Sequence, residues 1–224
     1  NPQQTWDYYG GFIEDFLDAP ETHPVHHGLR RGQVTDDTEQ AAAIAESIIR
    51  EGGVSVQGVA QALVGWYHRI GGDASPYVGP SSRRAILAIQ RGEDINEVGK
   101  HGDTNGAGMR VSPIGLIHPG DVDGAIADAH LSCIPTHNTD VAISGAAAVA
   151  GAIAMALKPD SSLQDLVDAG IYAGEQGRKY GHVWLGASVP ARIRLAVEIA
   201  RKDTPVRQRL QELYDVIGAT LAIS

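Results

Sequence analysis

Residues 35–38 read Thr-Asp-Asp-Thr and open an alanine-rich apolar run. Two like charges side by side at the mouth of a hydrophobic helix have two possible uses. The first is capping. Asp and Thr accept hydrogen bonds from the free backbone N–H groups of a helix start and complement the positive end of its dipole, and Asp36 with Glu39 has the form of a capping box. The second is a hard-cation site. Mg²⁺ takes oxygen ligands in an octahedron, usually a few carboxylates with waters and substrate oxygens. Adjacent Asp36 and Asp37 at a helix start can point into one space, and Thr35 adds a further oxygen. One such cluster supplies too few ligands alone, so metal binding requires partners elsewhere in the chain.

Other chemistry-bearing types are weaker signals. His23, His26 and His27 cluster in "HPVHHG", but their spacing matches no common structural-zinc pattern and no cysteine lies nearby. With Pro24 among them, they read as an ordinary polar loop. Arg83 and Arg84 read as a solvated helix face. Cys133, beside Ile134 and Pro135, reads as a small buried residue rather than a nucleophile.

The elements that must position these residues are nearly all helical. Residues 38–50 place Ala41, Ile44, Ala45, Ile48 and Ile49 on one stripe, ended by Gly52-Gly53. Ser55 is placed to cap a helix carrying Val56, Val59, Ala60, Leu63, Trp66 and Tyr67. A third helix is expected over 82–91, stopped by Gly92, and others over 121–133, 138–157, 162–176, 189–202 and 205–223. Pro, Gly and Asp clusters make loops of 19–34, 71–80 and 99–108. No clean alternation marks a strand. Residues 141–157 carry no charge, yet the run is shorter than the roughly 20 apolar residues of a membrane span and is built from Ala and Gly. A central helix packed closely by its neighbours accounts for it. The expectation is an all-α fold: one orthogonal helical bundle domain over 1–224 around a central Ala/Gly-rich helix.

Bulk properties narrow the function classes. The chain has 224 residues, a formal net charge of −9 and one cysteine. That charge argues against nucleic acid as a partner, and neither a membrane partner nor a secretory signal is indicated. A lone cysteine excludes an internal disulfide and suggests an intracellular, cytoplasmic protein.

Three blocks, "GQVTDDT" (32–38), "DTNGAGMRVSPIGL" (103–116) and "THNTDVAISGAAAVAGAIA" (136–154), occur in an order and spacing that resemble the ADP-ribosylglycohydrolase family. So does the intervening "GPSSRRAILAIQRGE" (79–93). The resemblance covers roughly residues 10–200. It implies an all-α hydrolase with two Mg²⁺ ions in a central cleft, which cleaves the bond at C1″ of an ADP-ribosyl group on a protein or a small ADP-ribosyl or ribosyl compound. Thr35, Asp36 and Asp37 would be metal ligands, with Asp36 and Asp37 catalytic through the metal. Asn105, Gly106, Met109 and Arg110, with Thr104 before them, would line the loop that receives ribose and diphosphate. His137 would face the substrate from the start of the central helix. Asp103 is either a proton acceptor or a turn residue, and His101 either contacts phosphate or leaving group or does not. A glycine-containing loop would let backbone N–H groups approach phosphate oxygens.

The departures bear on activity. The family's Asp-x-Asp-Thr block, which completes its metal site, is replaced at 202–205 by "KDTP", and its N-terminal Gly-Asp-Ala-x-Gly helix with a nearby general base is missing. With Asn1 at one end and "VIGATLAIS" at the other, the sequence is expected to be the middle of a longer family member. Two further readings stay open: a nucleosidase or other ribosyl hydrolase on the same scaffold, and a non-catalytic, crystallin-like relative without the metal site.

Overall fold

A computed structural model describes residues 2–23 and 26–218. The helices in chain order are α1 (Pro2–Tyr9), α2 (Asp36–Glu51), α3 (Val56–Arg69), α4 (Pro80–Gln90), α5 (Ser112–Leu116), α6 (Val122–His137), α7 (Asp140–Ala156), α8 (Leu163–Gly177), α9 (Val189–Ala200) and α10 (Val206–Val216), with one 3₁₀ turn at Gly108–Arg110. Among the described residues there is no named strand, only a bridge between Thr139 and His182. The all-α expectation is met.

Local chemistry explains most boundaries. The Ser55 hydroxyl accepts from Gly58 N–H at 2.9 Å and starts α3. Helix α2 ends at Gly52, whose left-handed φ of 76° suits glycine while its N–H donates to Ile48 O. One boundary departs from expectation. Helix α6 runs through Pro135 to His137 instead of stopping near 133. A proline in the last turn removes only one intrahelical donor, and the Asn138 N–H beyond it closes the helix end onto Gly99 O at 2.8 Å. Helices α1 and α5 were not expected. Of the segment expected over 205–223, the part beyond 218 lies outside the described residues, as does Pro24.

Helix α7 is the centre of the molecule, with twelve residues from Asp140 to Ala154 buried. Its small side chains let α8 approach until backbone and Cβ atoms touch. A Cβ on Gly174 would stand 3.0 Å from Pro190 and 3.4 Å from Ala148, and one on Gly177 would meet Ala147 at 2.7 Å. Ser144 donates to Gly174 O at 2.8 Å across the same seam. The close-packed central helix read from the Ala/Gly run is therefore present, and no helix among the described residues is long and apolar enough to cross a membrane. On the other side, Ile44, Leu63, Trp66, Ile86, Val111 and Ile114 form the apolar body that carries the α2 start and the 99–110 loop.

Candidate active site

The first turn of α2 holds three acidic residues, and no capping box closes it; the Asp36 carboxylate takes only its own backbone N–H. Thr35 occupies the N-cap position but makes no side-chain cap bond; its hydroxyl donates to Asp37 Oδ2 at 3.3 Å. Glu39 does not close a capping box, because its Oε2 accepts from the indole N–H of fully buried Trp66 at 2.8 Å. Asp36 and Asp37 are thus left facing a cavity of about 330 Å³. Burial, and then the neighbouring Asp37, push the Asp36 carboxyl up to about 6.

The same cavity is lined by Thr104, Asn105, Gly106 and Met109 from the loop before α5, and by Ser82 at the start of α4. Two segments nearly seventy residues apart therefore meet around one cavity. The lining also takes in His23, His26 and Tyr77. These histidines read as an ordinary polar loop in the sequence, and the structure instead brings two of them into the cleft. Among the lining residues there is no lysine or arginine.

Arg110 and His137 lie beneath the loop, not in the cavity. Arg110 is fully buried and donates to Gln40 Oε1 at 2.9 Å and to Thr136 Oγ1 at 2.7 Å. Desolvation lowers it to about 10, so it stays a cation. His137 is also fully buried, with Nδ1 2.7 Å from Thr136 Oγ1 and Nε2 2.9 Å from Thr104 Oγ1. Desolvation, with the charges of Arg110 and Arg84, holds its pKa well below the usual histidine range, so the ring is neutral. Arginine can only donate. A relay from Arg110 through Thr136 and His137 to Thr104 uses each proton once and leaves the Thr104 hydroxyl able to donate into the cavity. This corrects two expectations. His137 ends α6 rather than starting the central helix, and it and Arg110 support the loop instead of presenting atoms to a substrate.

The glycines serve the same support. A Cβ on Gly106 would stand 2.7 Å from His137 Cε1, and one on Gly102 would strike the carbonyl oxygen of Thr136. Glycine here permits close approach to α6, whatever it permits toward a ligand. Asp103 lies outside the cavity lining; its Oδ2 accepts from Trp184 Nε1 at 3.1 Å. His101 packs against the same indole, with centroids 5.8 Å apart, and is not a lining residue either. Thr35 lines an adjoining open groove of about 430 Å³ that also takes in Pro76 and Tyr77.

Arg83 is not the solvated side chain its sequence position suggested. Its guanidinium donates to the carbonyls of Gly72, Asp73 and Ser75 at 2.7, 3.1 and 2.8 Å, and it lies 5.9 Å from the Tyr67 ring. It clamps the turn that delivers Tyr77 to the cavity. No sequence period marks such a contact. Cys133 is buried, as read, and burial pushes its thiol up to about 12.

As a metal site, the donors fit Mg²⁺ in kind and fall short in number. Asp36, Asp37 and Thr35 offer hard oxygens, but among the described residues no group of three or more His, Cys, Asp or Glu side chains is placed to hold an ion.

Comparison with known proteins agrees with this geometry. The ADP-ribosylglycohydrolase family model matches residues 3–224, and the chain belongs to that family of glycohydrolase type. It is 33% identical to the uncharacterized protein YegU of Escherichia coli K12 over 211 residues, which is 93% of this chain and 63% of YegU. It is 38% identical to an uncharacterized protein of Archaeoglobus fulgidus over 144 residues, 64% of this chain and 45% of that protein. The chain thus spans less than two thirds of the length of these curated relatives.

Proposed function

We propose that this chain carries the sugar-binding half of a Mg²⁺-dependent ribosyl hydrolase that cleaves the bond at C1″ of an ADP-ribosyl group, borne by a protein or a small compound. The observation that supports it is the meeting of Asp36 and Asp37 with Thr104, Asn105, Gly106 and Met109 around one cavity. Asp36, Asp37 and Thr35 would hold the metal, which when bound would fix ribose hydroxyls and polarise water. The chain's own residues do the rest. Thr104, held by the His137 relay, donates to a sugar oxygen. No cationic side chain lines the cavity, and the buried charge of Arg110 lies below the loop. The apolar faces of Met109 and Val78 exclude water from one side.

The test is an amide titration of the isotope-labelled chain with ADP-ribose and Mg²⁺. Signals of Thr104 to Met109 should shift, and Asp37→Asn should remove the Mg²⁺-dependent part. Ribose producing the same affinity as ADP-ribose would reject the ADP-ribosyl group as the sugar donor. No shift at the cavity with any ribosyl compound would reject the reading as a whole.

A further inference from the structure

Part of the cavity lining is a ladder of rings. His23 and His26 are stacked with centroids 4.6 Å apart and planes 20° apart. His26 and Tyr77 continue the ladder, nearly parallel at 21° but with centroids 6.0 Å apart. The first spacing is a closed stack. The second is wider but still short of the about 7 Å that a flat ring needs between two others, so a ligand ring would extend the stack from an outer face rather than enter it. His26 and Tyr77 are each half-buried and both line the cavity.

Position and charge say what the ladder faces. Tyr77 borders Asp36 and Asp37 in the cavity and Thr35 in the adjoining groove, so it runs alongside the carboxylate corner on both sides. The wall itself offers π faces and N–H or O–H groups, with no carboxylate, lysine or arginine. Such a surface suits a planar ring rather than a phosphate. The turn carrying Tyr77 is held by the Arg83 clamp, so the platform is built before any ligand arrives. At about 330 Å³ the cavity lies at the small end of ligand-pocket sizes, which suits a nucleoside.

We propose that the His26–Tyr77 pair is the leaving-group subsite, a stacking platform for a planar nitrogen heterocycle attached to C1 of the bound ribosyl group. This rests on the cavity being a ribosyl site, as proposed above, and names the substrate class: compounds with a nucleobase-like ring on the ribose that is cut. The same ring chemistry has a second source, the adenine at the far end of an ADP-ribosyl group, and the test separates them.

Inosine, ribose and ADP-ribose are titrated into the wild-type chain and into Tyr77→Leu, Tyr77→Phe and His26→Leu, with a thermal melt of each variant. Inosine carries a base on C1; ADP-ribose carries its base only at the other end. Tyr77→Leu and His26→Leu should each weaken inosine by about five- to a hundredfold, the range that base–aromatic stacking commands. Ribose and ADP-ribose should be unchanged, and Tyr77→Phe should bind inosine like the wild type. Inosine affinity indifferent to both leucine variants overturns the platform while leaving the ribosyl site standing. A loss of ADP-ribose equal to the loss of inosine places the adenine end there and overturns the leaving-group assignment. Failure of all three probes with the wild-type chain overturns both proposals.

Discussion

At the residue scale the site turns on Asp36, whose two chemical duties conflict. Ionised, it would serve the proposed metal site; half-buried beside Asp37, it is a carboxylate the fold disfavours. Its pKa is about 6 in the folded chain against 3.8 for a free aspartate. The fold therefore holds this proton more tightly than the unfolded chain does. The resulting stability is fully present below pH 3.8 and is lost as pH rises through about 6. Asp36→Asn should accordingly raise the melting temperature of the metal-free chain at pH 7 and leave it nearly unchanged at pH 4. The effect opposes that of neutral His137, whose depressed pKa costs stability as pH falls below 6.5. Melts in a chelating buffer at the two pH values check the sign. An equal shift at both would mean that Asp36 acts through packing and not through its charge. If Asp36 serves the proposed site, such a gain is the usual trade between activity and stability. The pair stood out in the sequence but was ambiguous alone, since acidic residues are common at helix starts, and only the later blocks gave it a chemical reading. The sequence left capping and chemistry open; in the fold Trp66 takes Glu39 out of the capping box.

At the scale of elements, α6 and the 99–110 loop are one unit. Three glycines, Gly99, Gly102 and Gly106, lie so close to the last turn of α6 that a Cβ on any of them would meet Ile134, Thr136 or His137. The relay through His137 then ties α6 to Thr104, and Arg110 ties both to Gln40 of α2. His137→Ala would leave two hydroxyls short of a partner and a void in the core. It should cost about 2–4 kcal/mol of stability, from lost buried hydrogen bonds and an unfilled cavity, read by urea unfolding. A variant as stable as the wild type with substrate affinity abolished would return His137 to direct contact with the ligand. Helix existence was readable from apolar spacing, but the end of α6 was not. Pro135 is a breaker by type, yet the helix passes it and ends where the Asn138 N–H meets Gly99 O. That misplaced end also misplaced His137. Arg83, His26 and Tyr77 escaped for a related reason: residues joined by one turn clamp or one stack share no period along the chain.

At the scale of the whole molecule, stability is distributed unevenly, and the site lies on the firm part. Helix α7 is buried along most of its length, and α6 and α8 pack against it through small side chains. The site's acidic corner and its loop are anchored to this body through α2, Arg110 and the last turn of α6. Helices α1 and α10, by contrast, contain no buried residue. They meet chiefly through Arg207, which lies over the Trp6 ring at 4.8 Å and bonds Gln3. An exposed cation–π contact is worth only about 0.5–1 kcal/mol, so this pair should open far below the free energy of global unfolding. Native-state hydrogen exchange should therefore find the amides of α1 and α10 exchanging first and those of α7 last. Arg207→Ala should speed exchange in α1 and α10 without touching α7, because the contact it removes reaches neither α6 nor α8. Protection in α1 equal to that in α7 would mean that the two end helices are part of the same cooperative body. A ligand entering beside Asp36 would then tighten α1 and α10 as well; with the uneven distribution expected here, its protection should spread through α2, the 99–110 loop and α6 and stop before the end helices.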